Sequence, residues 1–486
     1  MWLQRILRFA GLSMGAGKPA GLAALSFSLL VGPLPCSDAA DWARFRGPDG
    51  GGVADDVSAP TEMKPASGYV WKRAAPPGKS SLVLSGPRLF FTAYEPHRLL
   101  TIALDRASGE TLWTRQLRPS HTDERNPLND AAVPTPVTDG KIVYVFFADF
   151  GLAAYTVDGD ELWRRPLGPF TSPHGIASSP LLVDGMLVLL LEQLDGGAVV
   201  GIDAASGEPK WSVPRPASIG GSFSTPVAYR TPEGEMQAVV TSPFELAAYA
   251  PKTGEKLWRV GGLAHQPKSS PFVAGDLILT AVQGDNARGR LKPWEDMLQD
   301  LDSDGSGVVE SHEIRGAIAD YDRDGIFGRS DYDQWFAEKS PPSRVMAVRP
   351  RGRGDLTSQS VVWSVERGVP RVTTPLAYNG VVYMVRNGGI LGALDLATGD
   401  EIKTARLTDA IDEYFASPVA AGGRILTTSR GCKLTWIEAG PQWEAVKVND
   451  LGEECFATPA LGHDGIFVRT TSAVYRFAAN ETESHH

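Results

Sequence analysis

Hydrophobic and polar positions alternate along most of this chain in short runs, and one run recurs. It reads "LDRASGETLW" at 104–113, "YTVDGDELW" at 155–163, "IDAASGEPKW" at 202–211, "YAPKTGEKLW" at 249–258 and "LDLATGDEIK" at 394–403. Each copy predicts a strand, a tight turn and a second strand. Asp or its substitute opens the turn and Gly supplies the positive φ that a hairpin needs. The closing Trp is too large for one small sheet to bury, so it must pack against a neighbour.

A second pattern falls between these copies. Pro136, Pro180, Pro226, Pro271, Pro375, Pro418 and Pro459 each follow a small or polar pair and precede an apolar strand, at steps of 44, 46, 45, 104, 43 and 41 residues. Proline is tolerated at the first residue of a strand. A period of 40–50 residues with about four strands per unit predicts propeller blades. "SSLVLSGPRLFFTA" (80–93) is an eighth copy, with Leu82 in the proline's place. The last copy, Phe456 to Phe477, ends before its Trp-bearing strand, whereas "YVWKR" (69–73) is an orphan strand near the start. Trp71 is therefore expected to complete the last blade and remove the free sheet edges. The fold class predicted is all-β: an eight-bladed β-propeller carrying a small α-helical EF-hand insertion.

The single long step locates that insertion, at 283–342 within the fifth blade. It contains "DSDGSGVVESHE" (302–313) and "DYDRDGIFGRSD" (320–331). An EF-hand calcium loop needs oxygen ligands at positions 1, 3, 5, 7, 9 and 12, and Gly at 6. In the first loop Asp302, Asp304, Ser306, the Val308 carbonyl, Glu310 and Glu313 fill those positions around Gly307. In the second, Asp320, Asp322, Asp324, the Ile326 carbonyl and Asp331 do so around Gly325. Gly328 brings no side chain to position 9, and Asp331 is shorter than Glu, so the second site is expected to be weaker. Val309 and Phe327 hold the apolar position that pairs two loops. Trp294, Met297, Leu298 and Leu301 recur at helical spacing before the loops, and Tyr332, Trp335 and Phe336 follow them. Only 314–319 separate the loops, so one helix is expected to serve both.

The repeat Asp-x-x-Thr/Ser-Gly-Glu-x-x-Trp resembles that of the pyrroloquinoline-quinone (PQQ)-like propellers. That family includes quinoprotein dehydrogenases and outer-membrane assembly-factor lipoproteins. The opening "DWARFRGPDGGGV" (41–53) also resembles a signature of exported bacterial members. The resemblance covers nearly all of 41–479 outside the insertion. It implies eight blades, with each Trp docking one blade on the next. Lys403 in place of Trp, and the altered turn "IEAGPQW" (437–443), depart from the pattern and predict weaker blade contacts. Alcohol-oxidising members carry an adjacent cysteine pair against the quinone. This chain has no such pair, so PQQ is the less favoured cofactor and calcium the favoured one.

Composition narrows the function further. The 486 residues carry a formal net charge of −10, which argues against nucleic acid as a partner. Arg5, Arg8 and Lys18 precede the apolar run "AGLAALSFSLLVGPLP" (20–35), and Ser37 and Ala39 suit a cleavage site. This predicts a signal peptide over 1–39, cleavage near Ala39, and a periplasmic or secreted protein with no later transmembrane span. An anchor through Cys36 is disfavoured by Pro35. Residues 41–68 form an N-terminal extension and 69–479 the propeller. Cleavage leaves Cys432 and Cys455, and the sequence leaves a disulfide and two buried thiols equally open. The loop "HTDERN" (121–126) reads as solvated, His174 and His265 as structural or solvated, and Arg349, Arg351 and Arg353 as an exposed turn. No nucleophile elbow, zinc spacing or phosphate loop is present. The expected function is that of a monomeric, non-catalytic calcium-binding scaffold offering a propeller face to a protein or glycan. A PQQ-dependent dehydrogenase and an accessory factor in outer-membrane protein assembly are the alternatives.

Overall fold

Among the residues described by the structure, a computed structural model, 36 strands form eight antiparallel sheets of four, two short added strands and one two-stranded ribbon. The described residues are 42–478 apart from 56, 58–59, 61, 65–67, 124, 173, 194–196, 216–220, 286–290, 315–319 and 321–323. The expected signal peptide, Cys36 and Asp322 lie outside them.

Each sheet is a meander. Blade 1 runs Val83–Ser85, Arg88–Glu95, Arg98–Asp105 and Thr111–Leu117. Blades 2 to 7 follow at 137–166, 181–214, 227–261, 272–365, 376–406 and 419–450. Middle strands are largely buried, and every residue of Met186–Leu191 is both apolar and buried, because the blades on either side cover both faces of the sheet. Outermost strands alternate instead, as in Pro209–Pro214, because one face meets water. Blade 8 is composite. Its first three strands lie in 460–478, and Trp71–Ala74 supplies the fourth, pairing antiparallel with Ala473–Ala478 (Trp71 opposite Arg476). The start and the end of the propeller region are thus joined in one sheet, as the orphan strand predicts.

The blade joints show why the hairpin glycines matter. Trp163 of blade 2 lies on Gly207 of blade 3, and its indole N–H donates to the Ala204 carbonyl at 3.0 Å. Gly207 has φ +72°, and a Cβ there would sit 2.6 Å from the indole. Positive φ and close approach therefore both require glycine. Trp71 on Gly109, Trp113 on Gly159, Trp211 on Gly254 and Trp363 on Gly399 repeat the joint.

Two of the three remaining joints are built as follows. Beside Trp258 the blade 5 hairpin is long, and its Gly354–Asp355 adds a parallel fifth strand to blade 4; Trp258 donates to Gln237 Oε1 at 2.8 Å. Lys403 donates to the Trp443 carbonyl at 2.7 Å and lies 4.6 Å from that ring's centroid. A charged hydrogen bond and a cation–π contact thus stand where a weakened joint is expected. Cys432 and Cys455 form a disulfide, both fully buried.

The insertion leaves blade 5 between Leu277–Val282 and Arg344–Val348. It holds two helices, α1 (Trp294–Leu301) and α2 (Arg329–Lys339), and a ribbon pairing Val309–Glu310 with Ile326–Phe327. Met297, Val309, Phe327 and Tyr332 form a small core of its own. Two short helices are less than the expected EF-hand pair, and the segment expected to form the shared middle helix lies largely outside the described residues.

Candidate functional site

The meander fixes what lies on each face. The connections from a blade's fourth strand to the next blade's first, and from second strand to third, emerge at one end of the channel. The insertion is a second-to-third connection, so it rises from the end that carries the channel's mouth. The opposite end is closed by the N-terminal extension. Trp42 bridges Leu84 of blade 1 and the Ala43 carbonyl accepts from Thr138 of blade 2. Arg44 donates to the Pro226 carbonyl of blade 4, and Arg46 to that of Thr374 in blade 6 at 3.0 Å. Burial pushes Arg44 down to about 10 and Arg46 to about 9, partly offset by Asp49, so both remain cations at neutral pH. Phe45, between them, forms the floor of a cavity of about 350 Å³ on the channel axis. The "WARFRG" motif is therefore a plug that makes the channel a blind funnel.

Above this floor runs a ring that the sequence reading missed. The hydroxyl residue before each strand-opening proline, or before Leu82, lines the cavity: Ser81, Thr135, Ser179, Thr225, Ser270, Thr374, Ser417 and Thr458. The backbone N–H of each donates to the side-chain oxygen of the next, at 2.9–3.1 Å, and Thr458 closes the circle on Ser81. The signal was present as Ser or Thr immediately before every one of the seven prolines.

Toward the mouth the funnel is cationic and aromatic. Lys79, Lys268, Arg371 and His174 line it with Phe223, Phe415 and Phe456. Lys79 lies 4.6 Å from the Phe456 ring centroid. Burial and then the Arg371 charge push Lys268 down to about 8, and burial and Lys268 lower His174. Glu413, the acidic residue of the lining, is paired with Arg430 at 2.8 Å. His265 lies elsewhere, buried at the root of the insertion, where burial lowers its pKa most and Lys339 adds to the shift.

In the "HTDERN" loop His121, Asp123 and Arg125 are packed, not solvated. His121 Nε2 meets the Ala148 carbonyl at 2.9 Å, buried Asp123 accepts from the Phe170 N–H at 3.2 Å, and Arg125 pairs with Asp149 at 2.5 Å. Arg349 and Arg353 lie in an exposed turn, paired with Asp276 and with Glu235 and Glu255.

In the insertion, ligand atoms of Asp302, Asp304 and Glu313 lie within 4.8 Å of one another. Asp302 Oδ2 accepts from Gly307 N–H at 2.9 Å, and Asp320 Oδ2 from Gly325 N–H at 2.8 Å. Glu313 accepts from the Glu310 N–H at 3.2 Å, and Asp331 from the Gly328 N–H at 2.9 Å. Ser306 and Glu310 flank the first cluster, their side chains 3.5 Å apart, and the Val308 carbonyl accepts from Ser306 Oγ at 3.2 Å. Asp324 accepts from the Ile326 N–H at 2.8 Å.

Fold and repeat together define an eight-bladed β-propeller of PQQ-like repeats. The family model described as outer membrane protein assembly factor BamB matches residues 70–303. The crystal structure of BamB from Moraxella catarrhalis is similar over 86% of this chain and 99% of its own, at 10% identity and a TM-score of 0.51. The computationally designed Ika8 protein matches over 84% of this chain and 100% of its own, at 9% identity and the same TM-score of 0.51. At such identities the likeness is one of fold. No curated protein matches the chain. Among the described residues no helix is long and apolar enough to cross a membrane.

Proposed function

We propose that this chain is an exported, non-catalytic binding propeller whose insertion takes up calcium. The observation that carries the calcium reading is the agreement between the two loops. Each has a position-1 carboxylate bound to the position-6 glycine N–H and a position-12 carboxylate bound to the position-9 N–H, and their position-8 residues pair (Val309 opposite Phe327). The donors are all oxygens, which suits a hard cation. Asp302, Asp304, Ser306, Val308, Glu310 and Glu313 would hold the first ion, and Asp320, Asp322, Asp324, Ile326 and Asp331 the second. Calcium would neutralise the carboxylates and stiffen the unit. Isothermal titration with calcium tests this. Heat of binding in the low-millimolar range or tighter, lost when Asp302→Ala and Asp320→Ala are combined, is the expected result; an unchanged titration in the double variant ends the reading.

The binding role, export to the periplasm or beyond, and a protein or glycan as partner rest on the repeat, on the signal-like N-terminus and on the likeness to an assembly factor's fold. A role beside the outer-membrane assembly machinery belongs to this same reading, and co-purification from native membranes tests it. The dehydrogenase alternative is decided by reconstitution with PQQ and calcium followed by dye reduction.

A further inference from the structure

The hydroxyl ring has an unused capacity. Each of its eight oxygens accepts one backbone N–H, which fixes the side chain, and no hydrogen bond among the described residues uses its proton. A hydroxyl offers one donor and two acceptor sites, so the ring presents a circle of donors. All eight side chains are buried, at 2–7% exposure, and all face the cavity. Buried donors call for acceptors. Above them Lys268 and Arg371 make no hydrogen bond or ion pair with any described residue, in a chain whose net charge is −10. A local cationic cleft in an acidic protein draws anions toward it.

The shape selects among anions. Phe45, held by Arg44 and Arg46, seals the floor, so a ligand reaches the ring only from the mouth and end-on. The cavity of about 350 Å³ is at the small end of ligand sites and takes the last few residues of a chain, not a folded surface or an internal loop. Phe223, Phe415 and Phe456 give an apolar wall for a terminal side chain.

We infer that the blind funnel captures the C-terminal carboxylate of a partner polypeptide, with the hydroxyl ring and the Lys268–Arg371 pair as the carboxylate's receptor. This deepens the reading of the chain as a binding propeller and rests on it. It is independent of calcium in the insertion.

The test uses the full mature chain and pentapeptides randomised at their last three positions, in free-acid and C-terminally amidated forms. Bound peptides are identified by mass spectrometry and the best one is titrated by fluorescence anisotropy. Amidation is expected to weaken binding about tenfold or more, the worth of one charged hydrogen-bonded contact. Arg371→Gln, at an exposed position that leaves folding intact, and Lys268→Gln are each expected to weaken the acid about tenfold. The thermal midpoint and the calcium titration should not change. Equal binding of acid and amide, no enriched peptide, or unchanged binding in Arg371→Gln overturns the inference. So does competition by acetate or N-acetylphenylalanine as tight as the peptide itself, since the receptor would then serve small free carboxylates. Failure here with calcium binding intact leaves the scaffold reading standing; loss of calcium binding with peptide capture intact does the reverse.

Discussion

Trp71 holds the start and the end of the propeller region together, and replacing it measures what closure of the ring contributes. Its indole is 8% exposed, lies 6.1 Å from the Phe467 ring and covers Gly109 of blade 1. Trp71→Ala removes nearly all of that buried surface, which by large-to-small substitutions in cores costs about 3–5 kcal/mol. The lost hydrogen bond to the Arg106 carbonyl, 3.1 Å, adds little, because Arg476 also donates to that oxygen at 3.3 Å. The carbonyl is not left bare, so the hydrogen-bond share stays at or below about 1 kcal/mol. A net loss of about 4 kcal/mol is expected from urea unfolding followed by tryptophan fluorescence and circular dichroism. Gly109→Ala attacks the same joint from the other side, since its Cβ would fall 2.6 Å from the indole. In the Trp71→Ala background that clash is gone, and only the cost of a positive φ, about 1–2 kcal/mol, remains. The double variant should therefore be less destabilised than the sum of the two singles. A Trp71→Ala loss below about 1 kcal/mol, or strict additivity in the cycle, would refute the claim that this stacked pair closes the ring.

Three further outcomes follow from other parts of the structure. Cys432→Ser with Cys455→Ser opens a loop with a sequence separation of 23, and loop-closure entropy sets the expected loss near 3 kcal/mol in a thermal or urea midpoint comparison. Glu453 opposes its own burial with hydrogen bonds from Ser472, Thr470, Tyr475 and Lys72, which hold it at about 2, below the ordinary 4.5. A depressed carboxylate stabilises the fold above its unfolded pKa, so this contribution should fade as pH drops from 4.5 toward 2, and Glu453→Gln should flatten that part of the stability profile. Gly207→Ala should cost clearly more than Gly234→Ala: both glycines have positive φ (+72° and +91°), but only at Gly207 does a Cβ meet an indole, so thermal midpoints of the two variants separate strain from clash.

Much of this architecture is legible in one dimension because a propeller repeats locally. The Asp…Gly…Trp hairpins and the seven prolines with Leu82 mark eight blades, the one irregular step marks the insertion, and a strand without a sheet at Trp71 meets a sheet without a strand. The hairpins and the regular proline steps each span fewer than about 50 residues, the reach of a supersecondary unit. The insertion's loops are legible for the same reason, since ligand spacing in such a loop is set within twelve positions.

The chemistry of the channel could not be read that way. The hydroxyl ring joins residues about one blade apart and closes between Thr458 and Ser81 across a separation of 377. The Ser and Thr before each proline look, in sequence, like ordinary turn residues; only closure of the circle turns their oxygens to one axis. "WARFRG" reads as an extension, and becomes a plug because four blades present free carbonyls, an N–H and a strand edge to it. Cys432 and Cys455 are compatible with a bond or with two thiols until the link between blades 7 and 8 folds them together. The sequence alone determined the blades, their number and the place of the inserted loops, because local periodicity specifies them. The tertiary structure alone decided that the channel is blind, buried, ringed with hydroxyl donors and cationic, because those properties arise where eight separate segments converge on one axis.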